Sequence, residues 1–130
     1  MAVLASGCAQ QSAPEAAPSR RVYAIDLAGG ARVCTVSSFS INPGRESVAA
    51  MTVGNDGGWC NVTVHQPGPT PYDAGLLTVE PSHGKVYIHE VGDDTRIDYT
   101  PDPGYAGPDT FSVTLLPGRP LIRTNVTVER

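Results

Sequence analysis

Proline and glycine punctuate this chain so densely that almost no uninterrupted stretch of helical length remains: 12 Pro and 14 Gly fall within 130 residues. Pro fixes φ and lacks a donor, and Gly permits φ > 0, so each cluster ends the element before it. Between the clusters, apolar residues repeat with period two. From Pro81 to Leu115, Val86 and Ile88 alternate with Lys85, Tyr87 and His89. Ile97 and Tyr99 alternate with Arg96, Asp98 and Thr100, and Phe111, Val113 and Leu115 with Ser112 and Thr114. This predicts three strands, each with one buried and one wetted face. Gly92-Asp93-Asp94 reads as a hairpin turn, and Pro101-Asp102-Pro103-Gly104 with Gly107-Pro108 as a longer corner. Asp109, just before the third strand, is placed to cap backbone N–H groups of that corner.

Strand-like runs continue on both sides. Val22 to Leu27 alternates weakly and reads as a first edge strand, ended by Ala28-Gly29-Gly30. Arg32 to Val36 puts Cys34 and Val36 on one face, and the opposite parity of Phe39 and Ile41 predicts a bend near Ser37-Ser38. Asn42-Pro43-Gly44 is a turn. Ser47 to Val53 is a strand of open parity, with either Val48 and Ala50 or Ala49, Met51 and Val53 facing in. After the Gly54–Gly58 turn, Trp59 to His65 sets Cys60, Val62 and Val64 against Trp59, Asn61, Thr63 and His65. Leu76 to Val79 and Leu121 to Glu129 complete the set. Seven or eight short strands in one domain of this length predict an all-β, antiparallel two-sheet sandwich over residues 22–130.

The run Pro81-Ser82-His83-Gly84-Lys85-Val86, followed by Tyr99-Thr100-Pro101 and then Gly104-Tyr105, Gly107, Asp109 and Phe111, resembles the second half of cadherin-like and bacterial immunoglobulin-like repeats. Those repeats carry a P-x-H-G-x-V strand and a Y-T-P-x-x-G-[FY]-x-G-x-D-x-F corner. The resemblance covers about 35 of the 130 residues. It implies an immunoglobulin-like sandwich used in adhesion or as a spacer, and it carries over no catalytic residue.

The N-terminus ends a short apolar stretch in Leu4-Ala5-Ser6-Gly7-Cys8, which resembles the end of a bacterial lipoprotein signal, residues 1–8, with Cys8 as the lipidated residue. The alternative is an apolar N-terminus with a free thiol. Only seven residues precede Cys8, without a charged start or full apolar core, so the reading places the true start upstream or the leader removed. Residues 9–21, rich in Ala, Gln, Ser and Pro, have no apolar face and read as a flexible linker spanning roughly 20 Å. The only membrane attachment expected is the acyl anchor, and the location is exported, in the bacterial cell envelope. With Cys8 assigned to lipid, Cys34 and Cys60 remain, and export makes a disulfide between them the natural inference. Closing that loop would contribute about 3 kcal/mol.

Candidate sites are few. Trp59, beside Asn61 and His65, lies on the face opposite Cys60 and is a candidate aromatic platform for a partner or a sugar ring. The plainer reading has loop 66–75 folded over it. Asp93, Asp94, Asp98, Asp102 and Asp109 crowd one region and suit calcium, although turns recruit Asp for capping and the ordered spacing of a calcium loop is missing. No cofactor is otherwise implied. A formal charge of −4 argues against a nucleic-acid partner. The chain has no Gly-x-Ser-x-Gly, His-Glu-x-x-His or phosphate-cradling motif, and the adjacent Ser82-His83 is poorly arranged as nucleophile and base. The expected function is therefore non-catalytic binding to an envelope or surface protein, by edge-strand pairing, in adhesion or surface assembly. Glycan binding through Trp59 is the alternative, and an unrecognised hydrolase the remote one.

Overall fold

Over residues 20–130, which the computed structural model describes, the period-two runs become eight strands. Cys8 and the leader and linker readings lie outside the described residues, except that Arg20 already contacts the fold. The strands are β1 (Cys34–Val36), β2 (Glu46–Gly54), β3 (Cys60–Val64), β4 (Ala74–Val79), β5 (Gly84–Val91), β6 (Asp94–Pro101), β7 (Gly107–Leu116) and β8 (Leu121–Glu129). One sheet has the order β1-β2-β8-β7-β4 and the other β3-β6-β5. This is an immunoglobulin-like sandwich in which the strand before β3 has joined the sheet of β8 rather than that of β3.

The sandwich is antiparallel throughout but for one pair. β2 runs parallel to β8, from Glu46–Leu121 to Gly54–Glu129. The Gly54–Gly58 turn carries the chain across to β3, so β2 has to end at the rim where β3 begins, and β8 ends at that same rim. The Asn55 N–H donates to the Glu129 carbonyl there, at 2.7 Å.

Parity in β2 resolves to Ala49, Met51 and Val53, all essentially inaccessible, while Val48 is exposed. They meet Val62, Ile97, Tyr99, Phe111, Val113, Leu115 and Ile122 in the core. Each such side chain contributes roughly 1.5–3 kcal/mol of transfer free energy. Tyr99 and Phe111 stack with ring centroids 5.7 Å apart.

The first strand expected at Val22–Leu27 is not one. Ala24–Leu27 is a single helical turn, α1. Its Asp26 carboxylate accepts from the Tyr23 N–H at 2.8 Å, and the Asp26 N–H donates to the Tyr23 carbonyl at 2.9 Å. Local capping satisfies the backbone that a strand would have left to a neighbour.

The two seams of the sandwich are closed differently. At one, Cys34 and Cys60 form a disulfide with Cα atoms 5.3 Å apart. Only Cys60 is buried; Cys34 faces inward from the outermost strand and stays exposed. The other seam, between β4 and β5, has no covalent closure. There a Cβ on Gly75 would lie 2.7 Å from Ile88 Cγ2, so Ile88 packs against bare backbone.

Candidate functional site

The quoted motif residues converge on one corner. The Asp109 carboxylate accepts from the Tyr99 hydroxyl at 2.7 Å and from the N–H groups of Ser82, His83 and Thr110 at 2.9, 3.0 and 2.9 Å. Gly84 is needed because a Cβ there would sit 2.5 Å from Tyr99 Cε2. His83 stacks on Tyr105 with centroids 4.0 Å apart. Burial works to raise the Asp109 carboxyl, but these four donors outweigh it and hold the group below its ordinary value. Burial first, and then the bond to Asp109, push the Tyr99 phenol far up. The corner is an architectural latch: Ser82 and His83 reach Asp109 through their backbone, not as a nucleophile and base.

A depressed native carboxyl gives stability that is present above the ordinary carboxylate value and is lost as pH falls through the folded one. Asp109→Asn is therefore expected to weaken the fold at pH 7 by about 1–3 kcal/mol and to shrink its acid sensitivity below pH 4. Urea titrations of both proteins at pH 7 and pH 3 check this. Parallel losses at the two pH values would remove Asp109 from the acid response.

A second polar cluster lies on the outer face of the three-stranded sheet. Arg96 and Asp98, read from the sequence as wetted, are 6 % and 5 % exposed. Arg96 Nη2 donates to Asp98 Oδ2 at 3.1 Å. Arg96 Nε also lies 2.8 Å from Asp98 Oδ1, a charge contact without the alignment of a hydrogen bond. His89 Nε2 is 2.8 Å from Asp98 Oδ2, and His89 stacks on Tyr87 with centroids 4.2 Å apart.

The cover over this face is a strap, residues 20–31. The Arg96 guanidinium donates to the Asp26 carbonyl and lies 4.1 Å above the Trp59 ring. Trp59 Nε1 donates to the Ala28 carbonyl at 2.9 Å, and Gly29 and Gly30 pack against the indole. Trp59 is thus half-buried under the strap, not presented as an open platform. Nor does loop 66–75 cover it: Tyr72 from that loop is buried at the core, its N–H donating to Thr95 Oγ1 at 2.8 Å. Sequence reasoning missed Arg96. The signal was there in a charged Arg96–Asp98 pair, two apart on one strand, but its cover comes from a segment about 70 residues earlier.

The other candidates are dispersed. His65 Nδ1 pairs with Asp94 at 2.9 Å, and Asn61 accepts from the Thr63 hydroxyl, so neither joins Trp59 in a site. Asp93 accepts from the Arg20 N–H at 2.9 Å, and the Asp102 carbonyl accepts from Asn55 Nδ2 at 2.8 Å. Among the described residues the candidate calcium ligands Asp93, Asp94, Asp102 and Asp109 do not gather, and no group of three metal-ligating side chains forms. Among those residues, too, no helix is long and apolar enough to cross a membrane.

What remains open is the β4–β5 seam. β5 pairs with β6 over its whole length without a break in register and, among the described residues, has no strand on its other side. Tyr87 on it is 63 % exposed. β4, the other free edge, carries exposed Leu76 and Val79 and breaks register between Leu77 and Val79. In comparisons with known proteins, no family model and no curated protein matches this chain.

Proposed function

We propose that this chain is a lipid-anchored, non-catalytic domain of the cadherin-like, bacterial immunoglobulin-like kind, working in the cell envelope by binding a protein partner in adhesion or surface assembly. The observation that carries the reading is the unequal pair of seams. The β1–β3 side is bonded through sulfur and flanked by the strap, whereas the outer edge of the eight-residue β5 has no strand beside it among the described residues. A partner strand laid beside β5 gains main-chain hydrogen bonds, and the exposed Tyr87, stacked on His89, supplies an aromatic anchor. The disulfide supports an oxidising compartment. The small residues before Cys8 support acylation there.

A photo-crosslinking residue at Tyr87, compared with one at Thr52 on the outer face of the larger sheet, tests the binding mode in the native envelope. A discrete protein adduct from position 87 and none from 52 is the expected result. Equal yields from the two positions, or none from either, would overturn the reading. Incorporation of labelled fatty acid, abolished by Cys8→Ser, tests the anchor separately.

A further inference from the structure

β5 turns alternate main-chain groups away from the fold. It meets β6 through the two-residue turn Gly92–Asp93, with Gly92 at φ 60° and Val91 opposite Asp94. Such a turn closes on a hydrogen-bonded pair, and ladder bonds then recur at every second residue. The far end keeps the same phase, since the Asp102 N–H donates to the His83 carbonyl at 2.8 Å. Lys85, Tyr87 and His89 therefore bond β6, and Gly84, Val86, Ile88 and Glu90 point their N–H and C=O groups outward. Among the described residues, none of these four bonds another main chain on that side. The edge also lacks the usual protection. β4 breaks register and β1 is three residues long, whereas β5 has no Pro, no bulge and only Lys85 and Glu90 as formal charges.

The strand is its own complement. A second strand must oppose outward groups with outward groups and keep core-side residues on the core side, so an antiparallel copy of β5 can pair only residues of like parity. A twofold axis at Tyr87 sets Val86 against Ile88 of the second copy, apolar on apolar. It sets Glu90 against Gly84, where the missing side chain leaves room. Tyr87, 63 % exposed, then meets its own counterpart in a non-hydrogen-bonded pair, where opposed side chains approach most closely. Lys85 faces His89, whose Nε2 is engaged by Asp98, so no like formal charges stand opposed. An axis moved to Ile88 would instead set the Glu90 carboxylate against Val86. We infer that β5 pairs antiparallel with β5 of a second copy about a twofold axis at Tyr87, joining the two three-stranded sheets into one continuous sheet. The contact occupies the same edge on both copies and so closes at the dimer. The inference rests on β5 being the binding edge proposed above and names its occupant.

The full chain carrying Cys8→Ser, whose other two cysteines are joined to each other, is the protein to test. One strand pair buries less than a standard interface, so sedimentation velocity should show a reversible dimer at about 0.1 mM rather than at nanomolar concentration. Tyr87→Cys should oxidise to a dimer bonded through position 87 in both copies, and Thr52→Cys should not. Tyr87→Lys and Tyr87→Glu should each weaken association about tenfold or more, with an unchanged thermal midpoint because the side chain is exposed. Mixed together, these two variants should dimerise again, because only a residue on the axis faces itself. A chain monomeric at about 0.5 mM would overturn the inference. So would a dimer that forms no bond at position 87 or that tolerates Tyr87→Lys. The photo-crosslink from position 87 in the envelope separates this inference from the reading beneath it. An adduct of two copies supports both. An adduct with a different protein, beside a monomeric purified chain, keeps β5 as the binding edge and overturns the pairing of copies. No adduct overturns both.

Discussion

Arg96→Ala is expected to destabilise the fold by about 3–5 kcal/mol, far more than most single substitutions on the outer face of a sheet. The reason is what it leaves behind. Asp98 is 5 % exposed, and its carboxylate would keep His89 but lose both contacts to the guanidinium. A buried carboxylate deprived of its cation bears the desolvation penalty without the compensating attraction. The Asp26 carbonyl and the Trp59 ring lose their partner in the same substitution, so the strap should loosen as the sheet weakens. Urea unfolding gives the magnitude, and tryptic cleavage after Arg21 in the native protein reports the strap. Arg96→Met/Asp98→Leu should recover much of the loss, because it removes both charges while keeping apolar volume. A single variant as stable as the parent would show that solvent, not Arg96, satisfies Asp98.

Removing the disulfide is the second large effect. Cys34→Ala/Cys60→Ala, or reduction of the native bond, releases a loop closed across 26 residues. The expected loss is about 3 kcal/mol from the entropy returned to the unfolded chain. For a domain of this size that lowers the melting midpoint by roughly 10–15 °C. The damage should start locally, since β1 is three residues long, pairs only with β2 and sends only Val36 against the core. Amide exchange should therefore quicken first in β1 and at the start of β3, and least in β7 and β8. Melting curves with and without reductant decide the matter. A midpoint moved by less than about 3 °C would mean that packing alone holds that seam.

The strands from Lys85 to Leu115 were legible because alternation and turn chemistry are local, and β5 and β6 form a hairpin of neighbours in sequence, while the crossing of β7 to the other sheet came from the fold. Asp109 was legible as a cap but its partners were not: it serves Thr110 and the N–H groups of Ser82 and His83, which lie 27 and 26 residues earlier, rather than the Pro101–Pro108 corner, so these bonds and the one from Tyr99 had to come from the fold. Parity in Ser47–Val53 was not, since Val48, Ala50, Ala49, Met51 and Val53 are all apolar and both phases look alike. The choice is made by β8, which presents Ile122, Val126 and Val128 to the core beside β2. Val22–Leu27 misread as a strand because its apolar residues do alternate, although they alternate toward solvent. Trp59 and Arg96 were misplaced together: a strap arriving from far earlier in the chain turned an outer face into a covered one. The candidate calcium cluster dissolved for an equally plain reason. Its aspartates are close along the sequence but spread over the β5–β6 turn, β6, the following corner and β7, where backbone N–H groups claim Asp93 and Asp109, His65 claims Asp94 and Arg96 claims Asp98.

The place of β8, between β2 and β7 in the larger sheet, bears on when the molecule can be finished. Synthesis delivers residues in order, so the middle plank of the five arrives last. Until residues 121–129 emerge, β2 and β7 are two loose flanks with nothing between them, and each shows a bare backbone edge to its surroundings. Closure has to wait for that final delivery, and the waiting chain stays threadable but sticky, a natural client for holding chaperones.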